Sequence, residues 1–254
     1  MSLSFSWRRL APPAAGLAGL LLLWSLASLQ LPAAILPTPW AVTDRLVTLL
    51  GDGALWVDSA VTLRNVLLAF FLSLLGGVLL GLGVGRWPAL GRALHPVVVV
   101  VEAAPHIAWL VLAVLWLGIG SGPPVLVGVS MALPLVYMAT AHGISQVDQG
   151  LLDMAHVYRL SRWTRVWYIF LPHLALTLTG AASSALSVAW RSVIMAEAFS
   201  SDAGLGQSLW GGYLYGAIDD VYATILWIVL LGLALEYLLI DPVRHRIERR
   251  LRHE

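Results

Sequence analysis

The residues best able to do chemistry gather first in one stretch, Asp153 to Pro172, DMAHVYRLSRWTRVWYIFLP, where Asp153, Arg159, Arg162 and Arg165 fall within thirteen residues of an otherwise apolar chain. Leu151, Ala155 and Tyr158 recur at i, i+4 and i+7, the spacing of one helical face. The opposite surface carries Asp148, Asp153, His156 and Arg159. A short helix with an apolar stripe bordered by charge either rests on lipid headgroups or docks on another protein. Neither use makes or breaks a bond.

A second group of polar residues lies inside apolar runs. Arg191 sits in LALTLTGAASSALSVAWRSVIMAEAF, a segment full of Ala, Ser, Thr and Gly, Ser187 among them. Small residues of this kind let helices approach closely and can line a pathway. A guanidinium at membrane depth costs several kcal/mol if unpaired, so Arg191 must face a partner or water. Glu197, six residues further on, points to a different face of the same helix, which makes Glu102 in a neighbouring run the expected partner. Arg191 then either locks two helices in a salt bridge or attracts an oxyanion, which its planar, permanently charged group suits. His106, beside Pro105, either gates a passage or hydrogen-bonds a neighbouring backbone.

Other chemistries find little support. There is no cysteine, which excludes disulfides, thiolate metal sites and cysteine nucleophiles. There is no lysine either, so a phosphate-binding loop of the GxxxxGK[ST] type cannot be formed by this chain alone. An intramembrane serine protease needs a G-x-S setting with a nearby histidine. In GIGSG, Gly118 stands three places before Ser121 and not two. The H-E-x-x-H zinc motif is absent and the seven histidines are scattered singly, so neither a catalytic residue nor a metal site is assigned.

These residues must be positioned by membrane helices. Of the 254 residues 59% are hydrophobic and 11% charged, with a mean hydropathy of +0.83. In a bilayer, apolar segments of about 20 residues satisfy their backbone groups as helices. Six spans are expected, near 14–31, 65–85, 97–117, 123–142, 174–197 and 222–240. The first resembles a signal peptide in following Arg8 and Arg9, but its length favours a retained helix. Short loops rich in arginine stay on the cytoplasmic side. With a cytoplasmic amino terminus, twelve of fifteen arginines fall inside, leaving Arg45 and Arg64 at the outer side and Arg191 within a span. Both termini are then cytoplasmic.

The expected layout is a single membrane domain over 1–254. It comprises a cytoplasmic amino terminus (1–13), an extracytoplasmic interfacial segment of short surface helices (32–62), a cytoplasmic loop (143–172) and a cytoplasmic tail (241–254). The segment FSSDAGLGQSLWGGYLYGAIDDV is rich in Gly, Trp and Tyr, which commonly anchor at headgroup depth.

The 153–172 stretch resembles the cytoplasmic loop of binding-protein-dependent ABC importer permeases, whose pattern is EAA, three residues, Gly, nine residues, then I-x-LP. Asp153, Met154 and Ala155 take the EAA places, Arg159 the glycine place, and Ile169, Phe170, Leu171 and Pro172 the ending. Asp for Glu and Met for Ala are mild departures. Arg for Gly is not, because glycine permits a left-handed turn between two short helices. LPTPWAVTDRLVTLL, APHIAWLVLAVLWLGIGSGPPVLV and AEAFSSDAGLGQSLW are similar to parts of the nitrate, sulfonate and taurine group of these permeases.

That resemblance implies an all-α integral membrane permease of the type I importer fold in the bacterial cytoplasmic membrane. Two copies would form the pathway, with a separate ABC ATPase dimer gripping Leu151, Asp153, Met154, Ala155, Tyr158, Arg159 and Arg162, and Pro172 joining loop to span. ATP and magnesium would be bound by the ATPase and no cofactor by this chain. An extracytoplasmic solute-binding protein would deliver cargo, membrane lipid would surround the bundle, and nucleic acid would have no role. The candidate pathway residues are Glu102, His106, Ser187, Arg191 and Glu197. The cargo would be small and anionic; a thiamine-precursor pyrimidine, bicarbonate or a metal oxyanion are alternatives. A stand-alone carrier using Glu102, Glu197 and Glu236 is a reading of a different class.

Overall fold

The computed structural model describes the backbone from Trp7 to Ile240, together with Pro242. The tail arginines Arg244 to Arg252 lie outside the described residues. Among the described residues there is no strand. The helices are α1 (Trp7–Gln30), α2 (Pro39–Gly51), α3 (Ala54–Arg86), α4 (Pro88–Ala103), α5 (His106–Leu117), α6 (Gly122–Ser145), α7 (Gln149–Val157), α8 (Arg162–Arg165), α9 (Leu171–Ser200), α10 (Leu205–Leu214) and α11 (Ile218–Leu235).

Among the described residues three helices are long and apolar enough to cross a membrane: α3, α6 and α11 with its extension to Leu239. The pair α4 and α5 adds a fourth if taken as one span. The remaining two expected spans correspond to α1, apolar over Ala15–Gln30, and to α9, 30 residues long and carrying Arg191.

Two expectations are corrected. The segment 32–62 is not a set of short surface helices throughout: α2 is one, but from Ala54 the chain already belongs to α3. At 1.5 Å per residue, the 33 residues of α3 reach about 50 Å, well beyond a hydrocarbon core of about 30 Å.

The expected third span, 97–117, is two helices meeting at 99°. Pro105 has no N–H to offer and disfavours helical geometry at Ala104, whose ψ is 129°. The bend is held by Trp109, whose indole Nε1 donates to the carbonyl of Val101 at 3.3 Å and so satisfies part of the end of α4.

The core is a seam of α3, α6 and α9. Val66, Ala69 and Phe70 pack with Ala132 and Val136 and with Ala185, Leu186, Ala189 and Val193. Gly77, Gly81 and Gly85 on α3 face Val136, Thr140 and Ile144 on α6. A Cβ at Gly77 would stand 2.6 Å from that of Val136, so the two backbones meet where a side chain is missing.

At one end of the bundle, Leu46, Leu55, Leu205 and Ala223 draw α2, α3, α10 and α11 into a smaller cluster. Arg45 and Asp220 form an ion pair there, the one ion pair among the described residues. The hydrogen bond to Asp220 raises the Arg45 pKa above its ordinary value. At the opposite end Val147, Ala155 and Ile169 seat α7 against the bundle. Outward faces such as Leu72, Leu75 and Leu79 of α3 are exposed and apolar, as lipid requires.

Candidate functional site

The loop between α6 and α9 folds as a helical hairpin. Asp148 caps α7, accepting the Gly150 N–H at 2.8 Å. At the other end the Arg159 N–H bonds the His156 carbonyl and the Leu160 N–H bonds the Ala155 carbonyl, both at 3.0 Å. These are the two bonds of a Schellman stop, and Leu160 packs near Ala155 in the accompanying apolar contact. Such a stop needs a left-handed residue after the cap. Arg159 supplies it with φ 49°, the one non-glycine residue of positive φ among those described. The left-handed turn expected at the glycine place is thus formed with arginine.

The helical stripe differs from the spacing argument. Ala155 is fully buried against Val147 and Ile169, so it faces the bundle and not a partner. The exposed apolar residues of α7 and its cap are Leu151, Met154, Val157 and Tyr158, with Asp153 exposed beside them. The side chain of Arg162 lies outside the described residues. From Arg162 the chain runs through a π-helical turn, Val166–Phe170, directly into α9. Pro172 lies in the first turn of α9 and cannot bond the carbonyl four residues earlier, which opens that turn to the wider pitch. Loop and span are thus joined by continuous helical backbone.

Arg191 lies where two cavities adjoin. One, of about 390 Å³, is lined by Glu102, His106, Ser130, Met131, Arg191 and Ser192 among others. The second, of about 450 Å³, includes Ser187, Trp190, Arg191 and Glu236. Four of the five candidate pathway residues therefore line these two cavities, with Arg191 in both. Arg191 is exposed, and its Nε donates to the Ser187 carbonyl at 3.1 Å. The expected salt bridge to Glu102 is not formed: both side chains open onto the same cavity without pairing. Glu236 accepts from the Ser183 hydroxyl and, at 3.4 Å, from that of Ser187.

Glu197 lies apart from both cavities. It is fully buried and accepts the Thr62 hydroxyl at 2.6 Å, the Asn65 amide at 2.9 Å and the Gly206 N–H at 3.3 Å. Thr62 in turn accepts the Leu205 N–H at 2.8 Å, and Asp58 accepts the Gly204 N–H at 3.0 Å. One face of α3 and the end of α9 thereby hold the first three N–H groups around the start of α10, the donors a helix leaves unpaired. Gly204, at φ +110°, also leaves room for the carboxylate, since a Cβ there would come within 2.6 Å of Glu197. Ser130 and Ser192 carry no sequence signal, because serines in apolar helices commonly bond their own backbone.

The family model described as binding-protein-dependent transport system inner membrane component matches residues 59–253. The chain is 29% identical over 219 residues to the taurine transport system permease protein TauC of Escherichia coli (strain K12), covering 84% of this chain and 80% of that protein. It is 32% identical over 222 residues to the putative aliphatic sulfonates transport permease protein SsuC of the same organism, covering 84% and 82%. A chain of the inward-facing MetNI methionine ABC transporter superposes with a TM-score of 0.56 at 21% identity, covering 72% of this chain and 93% of that one. That likeness carries the fold. The chain belongs to the binding-protein-dependent transport system inner membrane components, as a permease subunit of an ABC importer.

Proposed function

We propose that the chain carries a small anionic solute across the cytoplasmic membrane, with Arg191 as the residue that attracts it. The observation supporting this most directly is a permanently charged side chain, unpaired with any carboxylate among the described residues, standing between two cavities in the helical bundle. A guanidinium so placed favours oxyanions by charge and by planar hydrogen-bonding geometry. The relatives named for taurine and aliphatic sulfonates support the same cargo class.

The energy comes from a separate ABC ATPase dimer, which binds ATP and magnesium. It grips the exposed face of α7 through Leu151, Asp153, Met154 and Tyr158, with Arg159 and Arg162 beside them, and moves α9 through Pro172. Two copies of the chain enclose the pathway lined by Glu102, His106, Ser187 and Arg191. Both termini and the 143–172 loop lie in the cytoplasm. The end that gathers α2, α10 and the Arg45–Asp220 pair receives an extracytoplasmic binding protein. Closure of the ATPases would then shift a two-state bundle, as a ligand biases any bistable element.

The deciding experiment is ATP-driven uptake of radiolabelled sulfonates into proteoliposomes holding the assembled transporter, comparing wild type with Arg191→Gln. Loss of uptake with intact assembly supports the proposal. Unchanged uptake by the variant refutes the role of Arg191.

A further inference from the structure

Arg191 and Glu236 open onto the same cavity of about 450 Å³, between α9 and α11, without forming an ion pair. Ser187 links them. Its carbonyl accepts the Arg191 Nε–H at 3.1 Å, and its hydroxyl donates to the Glu236 carboxylate at 3.4 Å. Ser183, one turn further along α9, donates to the other carboxylate oxygen. The spacing of the two helices is set close by, where Trp190 fits against Gly232 and a Cβ on that glycine would come within 2.8 Å of the indole Nε1. One turn beyond Gly232, α11 gives way at Glu236 to a π-helical turn, Glu236–Ile240, a form that often marks functional sites.

Opposite charges inside a membrane bundle are each costly alone, and a shared cavity lets them offset one another. Glu236 is half-buried in the span that runs to Leu239, and its two serine partners satisfy hydrogen bonds without supplying positive charge. Arg191 supplies it across the cavity. Glu102, on the neighbouring cavity, is exposed, and water screens an exposed carboxylate far more than a half-buried one. Resting on the reading of an anionic cargo, we infer that Glu236 is the resting counter-ion of Arg191, a positioning residue that competes with the cargo for the guanidinium. The serines hold the carboxylate back from contact, so the guanidinium is balanced while most of its donors stay open. An arriving oxyanion must draw Arg191 away from Glu236. That competition limits affinity and favours release.

The test measures ethanesulfonate binding, by titration calorimetry, to the purified complex of the permease with its ATPase in nanodiscs. Glu236→Gln keeps the shape and removes the charge, and should tighten binding about tenfold, the scale of one charge pair across a wet cavity. Glu236→Asp, which restores the charge, should return binding to the wild-type value. Arg191→Gln should weaken binding, and adding Glu236→Gln to it should produce no such tightening. Unchanged or weaker binding by Glu236→Gln, equal tightening by Glu236→Asp, or full tightening in the Arg191→Gln background overturns the counter-ion role. So does tightening by Glu102→Gln in its place. Should Glu236→Gln alone fail to assemble, rescue by Arg191→Gln in the same chain supports the balance of charges, and no rescue overturns it. If Arg191→Gln weakens binding while Glu236→Gln changes nothing, the anionic reading stands without it. Absence of binding by the wild type overturns both readings.

Discussion

The Thr62 hydroxyl donates to the Glu197 carboxylate at 2.6 Å while accepting the Leu205 N–H at 2.8 Å, so one threonine joins α3, α9 and the start of α10. Replacing Glu197 by Leu leaves Thr62, Asn65 and the Gly206 N–H without their shared acceptor in a site closed to water. Each orphaned group costs about 1–3 kcal/mol, so a large fall in thermal midpoint is expected. Intrinsic tryptophan fluorescence during heating in detergent would measure it. An unchanged midpoint would show that the network contributes nothing.

Gly81→Ala should destabilise, because its new Cβ would run into Thr140 across the α3–α6 seam. Overpacking of this kind costs about 1–3 kcal/mol. Gly180→Ala is the matched control, since a Cβ there meets nothing within 4 Å and alanine favours the helix. The two variants should therefore move the thermal midpoint in opposite directions. Equal effects would mean that the seam has slack.

Arg159→Gly should strengthen the stop of α7. A left-handed residue with a Cβ carries about 1–2 kcal/mol of strain that glycine avoids. Hydrogen exchange across residues 149–160 should slow if the hairpin becomes more stable. Faster exchange would mean that the guanidinium contributes more to the turn than its backbone costs.

Val157→Asp should uncouple the transporter without unfolding it. Val157 is 76% exposed, so the substitution creates no buried charge. Co-purification of the ATPase and transport-stimulated hydrolysis should fall together, while the thermal midpoint of the permease alone stays put. Ala155→Asp would be a poorer probe because that residue is fully buried. Retained coupling in the Val157 variant would rule out this face as the docking surface.

The helical class and the loop were legible in the sequence because their signals are local: runs of apolar residues, and the spacing from Asp153 to Pro172. The turn at Arg159 was legible in position but not in conformation, since only the backbone dihedral reveals that arginine takes the left-handed form. Hydropathy over 97–117 hides the 99° bend, because averaging across a window dilutes Pro105 among valines and leucines. Pairing of Arg191 with Glu102 was a reasonable expectation from the cost of a lone charge. It fails because both side chains line one open cavity without meeting. Glu197 read as a candidate pathway carboxylate near the end of an apolar span. Its structural work depends on Thr62 and Asn65, more than a hundred positions away in sequence, although the glycines at 204 and 206 hinted at a close approach.

The glycine row of α3 has a bearing on how such a chain can diversify. With Gly77, Gly81 and Gly85 fitted against Val136, Thr140 and Ile144, the seam leaves no room for a Cβ, while Glu102, His106 and Arg191 stand exposed on their cavity. An added side chain therefore costs more at the joint than on the exposed lining. New specificities can arise in this architecture without re-evolving its frame.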